Sequence, residues 1–338
     1  MGGATNERDC DVLIVGAGIA GLTAARSLRA LGKNVLVVEK SRGVGGRAAT
    51  RRWDGLPVDH GAQFFTARSA EFRAQVDDWL QRGVCFEWSR GLHRLGEGGL
   101  LAPGSDNFPR YACREGMTVL GRELLGGDGE FVLRETKIAK IQADSFGWQA
   151  QTEDGRTFRS RALVMTPPAP QSSELLRTAA PDASAFLTSI PMAPCLALVA
   201  RYPRRNLPWR GIQSPEHDVV SWIGNDTSKR PDLHPGVSIV VIHASPRFSE
   251  QHFGNAQEDI ADPLLQAGSS LAGADLANPS HSFLQRWRYA LGSRDGTEPA
   301  RLVKAPAPLV LAGDAIGGGK IEGAWLSGRE AARLVSAA

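Results

Sequence analysis

Apolar positions near the beginning of the chain follow first a strand-like and then a helix-like pattern. Val12 to Val15 form an uninterrupted apolar run, which predicts a short buried strand. A glycine-rich stretch follows, and apolar residues then return at helical spacing at Leu22, Ala25 and Leu28. A second β-branched run covers residues 35–38. Strand, turn, helix and strand in this order predict a βαβ unit.

The glycines between this strand and helix have GxGxxG spacing, at Gly16, Gly18 and Gly21. Such a turn typically holds a pyrophosphate at the positive end of the helix, and an acid about 20 residues further on accepts the ribose hydroxyls. Glu39 lies at that position. A turn that serves packing alone is the alternative, but the complete order of elements favours dinucleotide binding.

The loop after the second strand bears on which dinucleotide binds. The stretch SRGVGGR supplies Gly45, Gly46 and Arg47, a flexible loop with a guanidinium that can pair with a pyrophosphate. This loop favours FAD over NAD. Considered alone, Arg47 is explained equally well as a solvated surface charge.

The C-terminal region repeats the opening pattern. Residues 309–312 predict a strand, and a glycine-rich loop and a helix follow it. Asp314 comes directly after the strand and Gly313, where α/β proteins place ligand contacts. Because both ends of the chain carry nucleotide-binding patterns, we expect them to form one domain into which the middle is inserted.

The middle of the chain predicts further helices and a second, antiparallel sheet. Helical spacing covers residues 69–83, with Ser69 as its cap, and another helix begins at Met117. The other predicted elements are a hairpin with its turn at 153–155, a buried strand at 162–165, a helix around 172–177, strands at 221–228 and 237–250, a helix at 255–271 and a strand at 283–290.

These elements predict an α/β plus α+β fold, in which a Rossmann-like FAD-binding domain carries an inserted antiparallel-sheet substrate domain. The predicted FAD-binding domain is discontinuous and comprises residues 1–70, 110–170 and 300–338. The predicted substrate domain comprises residues 71–109 and 171–299.

Composition and charge narrow the classes of partner. The 338 residues suffice for two cores, and a net charge of +3 gives no reason to expect nucleic acid or an anionic membrane as the main partner. The four cysteines lie far apart without a CxxC pair, which argues against a zinc site and a disulfide framework. No apolar run approaches membrane-spanning length. We expect a soluble cytoplasmic protein, a monomer or homodimer, without a metal.

Aromatic residues in the middle region are candidates for a ligand pocket. Gly61 and Ala62 suggest a turn close to a ligand, and Phe64 and Phe65 could wall a flat ring, although a core strand with a glycine bulge is equally compatible. His243 ends an apolar run, where a structural histidine is the favoured interpretation. The aromatic face of residues 283–290 is expected to pack in a core.

Several motifs together resemble one known family. They are GAGIAG with Glu39, KSRGVGGR, HGAQFFTAR, TPPAPQ, IHAS, QRWRYA and AGDAIGGGKIEGAWLSG. In this order, and over nearly the whole chain, they are similar to the FAD-dependent renalases of the bacterial type, within the flavin amine oxidase superfamily. The glycine fingerprint occurs in many flavoproteins, whereas HGAQFFTAR and EGAWLSG are far more specific.

The resemblance implies an amine oxidase-like two-domain fold with noncovalent FAD. It also implies an activity, in which 2- and 6-dihydro-NAD(P) isomers are oxidised to NAD(P)+ by hydride transfer to flavin N5, and O2 reoxidises the flavin to give H2O2. The implied partners are a small dihydronicotinamide and O2. Loss of hydride from a dihydropyridine gives the aromatic ring directly, so no side chain is required as a catalytic acid or base.

The resemblance also assigns roles to residues. At the position of Lys320 the family has an arginine, so this chain keeps the charge without the bidentate fork. The residues implied to line the substrate side are Phe64, Phe65, Thr66, Arg68, His243, Trp287 and Lys320. Those implied to contact FAD are Gly16, Gly18, Ile19, Ala20, Gly21, Glu39, Lys40, Gly46, Arg47, Gly61, Ala62, Gln63, Ile138, Asp314 and Ile321.

Two other functions remain open from the sequence. One is an amine oxidase or a desaturase-type flavoenzyme that acts on another small substrate. The other is a non-catalytic flavin-binding module.

Overall fold

The computed structural model describes residues 7–95, 101–103, 106–127, 129–292 and 298–338. Within them the helices are α1 (Ile19–Ala30), α2 (Ala70–Gln81), α3 (Thr118–Leu125), α4 (Ala169–Leu176), α5 (Pro181–Thr188), α6 (Pro246–His252), α7 (Gln257–Ala272) and α8 (Lys320–Ala337). The strands are β1 (Glu7–Val15), β2 (Val35–Val38), β3 (Thr50–Trp53), β4 (Leu56–Asp59), β5 (Phe86–Arg90), β6 (His93–Leu95), β7 (Leu101–Pro103), β8 (Pro109–Ala112), β9 (Val132–Leu133), β10 (Ile138–Ala143), β11 (Trp148–Thr152), β12 (Thr157–Met165), β13 (Met192–Pro203), β14 (Gly211–Gln213), β15 (Val220–Asn225), β16 (Val237–Ala244), β17 (His281–Gly292), β18 (Arg301–Val303) and β19 (Leu309–Leu311).

The chain divides into two compact units. The first unit comprises Met1–Ala48, Thr118–Met192 and Gly292–Ala338, and the second comprises Ala49–Met117 and Ala193–Leu291. Compared with the predicted boundaries, residues 49–70 and 110–117 lie in the second unit, and residues 171–192 and 292–299 lie in the first. Helices α4 and α5 pack on each other and bury Leu176 and Leu187 in the core of the first unit, which explains where that segment belongs. The assignment of the units to cofactor and substrate stays a prediction.

The first unit is built on an eight-stranded sheet with a parallel centre. Strand β1 lies between β12 and β2, and β9 extends the parallel set beyond β2. Strand β12 pairs antiparallel with β11 along its first part and parallel with β19 along its last part. Val12 to Val15 are almost fully buried, as expected for a central parallel strand that is covered on both faces. The predicted Rossmann-like βαβ unit is confirmed.

Helix packing brings both chain ends together in the first unit. Helix α1 packs against α8, and a Cβ placed on Gly328 would overlap the carbonyl oxygen of Ala20. Only glycine allows so close an approach of the two helix backbones. The first and last parts of the chain therefore form one structural unit, as the repeated pattern predicted.

The second unit contains a seven-stranded sheet with the order β17-β13-β16-β15-β14-β6-β7. Strands β13 and β15 pair antiparallel with β16, and β14 pairs antiparallel with β15. The expectation of an antiparallel sheet holds for these strands, but β14 and β6 are parallel. Helix α7 packs on β15 and β16, and Leu198, Ile242 and Leu264 are fully buried in this core.

Most predicted helices are confirmed, and two predicted strands end early. Ser69 caps α2 by accepting the N–H of Phe72 at 3.3 Å, as its position indicated. The strand predicted over 221–228 stops at Asn225, because Asp226–Lys229 form a 3₁₀ turn. The strand predicted over 237–250 stops at Ala244, because Ser245 caps α6 and Pro246 occupies its first turn.

Across the part of the chain that the structure describes, no helix is both long enough and apolar enough to span a bilayer.

Candidate cofactor and substrate sites

The GxGxxG turn connects β1 to α1 with close backbone packing. Gly16 has φ +98°, and a Cβ there would lie 2.6 Å from Oγ1 of Thr166. A Cβ on Gly21 would overlap the carbonyl oxygen of Gly16. The Thr166 hydroxyl donates to the carbonyl oxygens of Val15 and Gly16, at 2.7 and 3.2 Å. Glycine is therefore required at both positions, and Thr166 is a supporting residue that the spacing alone did not reveal.

The second glycine loop packs beside the first. The N–H of Gly45 donates to the carbonyl oxygen of Ala17 at 2.8 Å, and Gly45 forms a parallel bridge with Gly18. A Cβ placed on Gly121 of α3 would lie 2.6 Å from Cα of Gly45. The loop is thus fixed between the first turn and α3. The sequence gives no signal for Gly121, because nothing in a helical pattern distinguishes a glycine that is needed for a contact distant in sequence.

Glu39 follows β2 and faces the glycine turn. Its Oε2 accepts the N–H of Ala17 at 2.8 Å, and its Oε1 accepts the N–H of Ser41 at 2.7 Å. A carboxylate offers about four acceptor positions, so further lone pairs remain for hydroxyl donors. These bonds orient the carboxylate beside the turn, as a ribose-binding acid requires.

Arg47 and Asp314 form a bidentate ion pair. Nη1 and Nη2 of Arg47 donate to Oδ2 and Oδ1 of Asp314 at 3.0 and 2.5 Å. The two side chains are 28% and 14% exposed, so the pair is partly accessible. The resemblance implies that both residues contact FAD, but nothing in the sequence shows that they pair with each other.

The remaining first-unit candidates lie in different surroundings. Lys40 is exposed and donates to Oε1 of Gln171 at 3.1 Å. Ile138 begins β10, with its side chain in the core, so only its main chain is available to a ligand. Lys320 is exposed at the first position of α8 with φ +62°, a left-handed conformation that is uncommon outside glycine. Ile321, beside it, is buried.

The first unit fits a dinucleotide such as FAD. Gly18 is the N-cap of α1, and no side chain within the described residues caps that helix end, so first-turn N–H groups remain available to an anion. A Cβ placed on Gly18 meets no atom within 4 Å, so the backbone is accessible on that side. Ile19, Ala20 and Gly21 form the first turn and are buried. The donors, the acid and the arginine are therefore those that a pyrophosphate and a ribose need.

In the second unit, His60 and Trp287 form a stacked pair. Their rings lie 5.5 Å apart with an interplanar angle of 10°, and Nε1 of Trp287 donates to the carbonyl oxygen of His60 at 3.0 Å. Two contacts thus fix the indole plane. Burial lowers the pKa of His60, although the neighbouring Asp59 opposes that shift. Nothing in the sequence distinguishes His60 as a candidate residue.

His243 is a neutral imidazole near these residues. It is the last residue but one of β16 and is half-buried, and its Nε2 has no hydrogen-bond partner among the described residues. Burial, reinforced by the positive charge of Lys229 and by His60, lowers the pKa of His243 to about 4. A buried ring nitrogen without a partner among the described residues is compatible with the substrate-side role that the resemblance implied for His243, which stays a prediction.

The loop that begins at Phe64 separates into core and surface positions. Phe65 is 3% exposed and packs against Phe72, Trp79 and Tyr111. Its backbone also pairs with Tyr111. The side chain of Phe65 therefore fills the core, so the substrate contact that the resemblance implied stays a prediction and is left out of the site proposed below.

Three neighbours of Phe65 remain accessible. Phe64 is half-buried, with its ring 5.4 Å from Trp222. Thr66 is also half-buried, and Arg68 is exposed with its guanidinium 5.1 Å from the ring of Phe108. These three stay as candidates for substrate binding.

Gln63 turns its side chain inward. Nε2 donates to the carbonyl oxygens of Asp59 and Gly61 at 2.6 and 3.1 Å, and Oε1 accepts from Lys229 at 3.3 Å. The residue is 4% exposed. A FAD contact of Gln63 would therefore use its backbone, as would the contacts of Gly61 and Ala62.

Two protein-family models match the chain. One, described as a NAD(P)-binding Rossmann-like domain, matches residues 14–79. The other, described as flavin containing amine oxidoreductase, matches residues 82–336, well over half of the chain.

Named relatives match over short segments. The chain is 44% identical over 68 residues to putrescine oxidase of Kocuria rosea, which is 20% of this chain and 14% of that protein. It is 49% identical over 57 residues to hydroxyneurosporene desaturase of Rubrivivax gelatinosus, 17% and 11% of the two chains. The matched part spans about an eighth of the length of the curated relatives.

Solved structures share the fold over nearly the whole chain. Putrescine oxidase bound to putrescine superposes with a TM-score of 0.77 at 14% identity, covering 98% of this chain and 100% of its own. Cyclohexylamine oxidase from Brevibacterium oxydans gives 0.74 at 15% identity, covering 98% and 99%. At such identities the likeness shows the fold, which combines a Rossmann-like unit with a second unit.

Proposed function

Because the chain belongs to the flavin-containing amine oxidoreductases, a family of flavin-dependent enzymes with FAD as cofactor, we propose that it is a renalase-like oxidase of 2- and 6-dihydro-NAD(P) isomers. The bound FAD supplies hydride acceptance at N5 and return of the two electrons to O2 as H2O2. The renalase-like motifs and the arrangement of polar and aromatic residues in each unit support this substrate class.

The proposed cofactor contacts in the first unit follow from the donors and acceptors there. The first turn of α1 offers N–H groups to the pyrophosphate, and Glu39 offers its remaining lone pairs to ribose hydroxyls. Asp314 takes two N–H donors of Arg47 and thereby fixes the plane of the guanidinium, a group that suits a phosphate oxygen. Asp314 then acts chiefly by orienting Arg47.

The other proposed cofactor contacts come from main-chain groups and from one lysine. They are Ile19, Ala20, Gly46, Gly61, Ala62, Gln63, Ile138 and Ile321, together with the side chain of Lys40.

The His60–Trp287 stack beside a neutral His243 is the observation that carries the substrate proposal. A fixed indole face suits a flat dihydropyridine ring. The partnerless Nε2 of His243 suits the carboxamide that such a ring carries, because an amide can both donate and accept. An uncharged imidazole also adds no charge beside the nicotinamide cation formed by hydride loss.

Two exposed cations suit the phosphates of a dinucleotide substrate. Arg68 and Lys320 are both exposed. A guanidinium and an ammonium both bind phosphate oxygens, and the guanidinium binds with two parallel hydrogen bonds. Neither residue is needed as an acid or base, so these side chains act by binding and orienting.

The family match also favours a second candidate function, an amine oxidase or desaturase-type flavoenzyme. The similarity to putrescine oxidase in sequence and fold supports it. An alkyl ammonium substrate needs a carboxylate or an aromatic cage. The half-buried side chains described near Trp287 are instead the imidazoles of His60 and His243. They favour a dihydronicotinamide as the substrate.

Peroxide release separates these functions. The FAD-loaded protein is mixed in air with 2-dihydro-NAD, 6-dihydro-NAD, putrescine and cyclohexylamine in turn, and H2O2 is measured. We expect turnover with the dihydronicotinamide isomers and none with the amines. Turnover with the amines alone would support the second candidate. A bound flavin that dithionite reduces but no substrate reduces would indicate a binding module.

A further inference from the structure

Four buried charged side chains form a closed network in the second unit. Nζ of Lys229 donates to Asp59 at 3.0 Å and to Asp226 at 2.9 Å, and Arg230 donates to the same two carboxylates at 2.6 and 2.7 Å. All four residues are at most 3% exposed. Two positive and two negative charges balance, as a buried cluster requires. The proposed chemistry uses none of them.

Asp59 connects the network to the segment that follows β4. It also accepts from Oγ1 of Thr50 at 2.7 Å and from the N–H of Met117 at 2.8 Å. Burial alone would raise the pKa of Asp59, but Lys229, Arg230 and these hydrogen bonds hold it well below its usual range. The carboxylate is therefore a fixed anion at the start of residues 59–63.

Lys229 supports the other end of that segment. Nζ donates to Oε1 of Gln63 at 3.3 Å, while the amide of Gln63 donates back to the carbonyl oxygens of Asp59 and Gly61. The side chain of Gln63 thus closes a ring over residues 59–63. A Cβ placed on Gly224 would lie 3.2 Å from Oε1 of Gln63, so a glycine there makes room for the amide.

The 3₁₀ turn at 226–229 also contacts the neighbouring candidate residues. Oγ of Ser228 accepts from Nε1 of Trp88 at 2.9 Å, and the ring of Trp88 lies 6.0 Å from Phe64. Oγ1 of Thr227 accepts the N–H of Ile239 at 2.7 Å, on the strand that ends near His243. One short turn therefore supports Gln63, Phe64 and the strand of His243.

We propose that Lys229 is a positioning residue that fixes Gln63 and, through it, the backbone of residues 60–63 in the conformation that meets the ligands. A buried ion-pair network adds little net stability compared with well-packed apolar side chains, so folding alone does not require it. Contact of residues 60–63 with FAD and substrate rests on the proposed function. The positioning itself is a property of the second unit.

Segment-resolved hydrogen exchange tests this role in the FAD-loaded protein. Lys229→Met keeps the length of the side chain and removes its donors. We expect amides in residues 59–66 to exchange at least about tenfold faster than in the wild type, with β1 and β12 unchanged. We also expect FAD to be released several-fold faster. The matched control is Lys137→Met, which breaks an exposed pair with Glu153 and should leave both readouts unchanged.

A second variant tests whether Lys229 acts through Gln63. Gln63→Ala should accelerate the same segment, and Lys229→Met/Gln63→Ala should add nothing beyond the larger single effect. If Lys229→Met does not fold, Lys229→Met/Asp226→Asn, which keeps the buried charges balanced, is measured in its place.

Two results would overturn the proposal. One is faster exchange spread evenly over the second unit. The other is a lowered melting temperature with exchange in 59–66 and FAD release both unchanged. If residues 59–66 exchange faster in Lys229→Met but the wild type does not oxidise dihydronicotinamides, the positioning role is supported and the proposed substrate is refuted.

Discussion

Arg47 and Asp314 are 267 positions apart in sequence and are joined by two hydrogen bonds of 3.0 and 2.5 Å. The pair links the loop after β2 to the loop after β19 within the first unit. Its geometry is the planar fork that only an arginine makes with a carboxylate. The two ends of the chain that carry nucleotide-binding patterns are thus connected by one ion pair, and Asp314 sets the direction of Arg47.

Removing Asp314 should therefore weaken FAD binding. Asp314→Ala removes the carboxylate that accepts two hydrogen bonds from Arg47, and a lost charge-assisted hydrogen bond costs about 1.5–3 kcal/mol. We expect the FAD dissociation constant to rise about 10- to 100-fold, measured by fluorescence titration of the deflavinated protein. Arg42→Ala, an exposed arginine of the same loop, should change little. Unchanged flavin content of Asp314→Ala after dialysis would contradict the assignment.

The contact between Gly45 and Gly121 predicts a stability effect. A glycine-to-alanine change inside a helix normally gains up to about 1 kcal/mol, but here the new Cβ would lie 2.6 Å from Cα of Gly45. We expect Gly121→Ala to lower the free energy of unfolding by about 1–3 kcal/mol, measured by urea denaturation, and to weaken FAD retention. Gly43→Ala is the matched control, because a Cβ at Gly43 meets nothing within 4 Å. Equal effects of the two changes would refute the close approach.

Lys320 should act on the substrate and not on the flavin. Lys320→Ala removes an exposed cation at the start of α8, so we expect KM for the dihydronicotinamide to rise about 2- to 10-fold with flavin content unchanged. Steady-state kinetics and the flavin-to-protein absorbance ratio measure the two effects. Lys304→Ala, an exposed lysine of the same unit, serves as the control. Loss of flavin from Lys320→Ala would mean that the residue contacts the cofactor.

The lowered pKa of His243 predicts a dependence of stability on pH. The folded protein binds this proton only near pH 4, because burial and the charge of Lys229 oppose it, whereas an ordinary histidine binds near 6.5. The contribution of the neutral His243 imidazole to the stability of the folded protein is therefore complete above pH 6.5, and it is lost as the pH falls towards 4.

Between a pH above 6.5 and a pH between 4 and 6.5, we expect the free energy of unfolding to fall by about 1–3 kcal/mol less in His243→Asn than in the wild type. Urea unfolding at the two pH values measures this difference. His281→Asn, at an exposed position, is the control. Identical pH dependence in the wild type and His243→Asn would refute the neutral imidazole.

The local patterns of the sequence predicted the βαβ unit because each signal there is short-range. The apolar run at Val12 to Val15, the glycine spacing and Glu39 all lie within 28 residues of one another, and strand burial follows directly from hydrophobicity. The cap at Ser69 and the turn at 153–155 were predictable for the same reason. The renalase-like motifs added the candidate residues on both units.

The contacts that the sequence did not reveal join residues far apart in the chain. Nothing near Lys229 or Asp59 shows that they are buried together, because a charged residue read from sequence is expected at the surface. The strand predicted over 221–228 ended early for this reason, since Asp226 and Lys229 turn inward to that network. The sequence pattern also left open whether Phe65 lies in a core or in a pocket wall, because an aromatic residue has the same pattern in both places; the structure buries its side chain in the core.

Anaerobic titration of the FAD-loaded protein with 6-dihydro-NAD tests the central claim most directly. We expect the flavin absorbance to bleach stoichiometrically and NAD+ to accumulate in equal amount, with putrescine causing no change under the same conditions. The proposed function would be contradicted if the flavin stayed oxidised with both dihydro-NAD isomers while putrescine or dithionite reduced it.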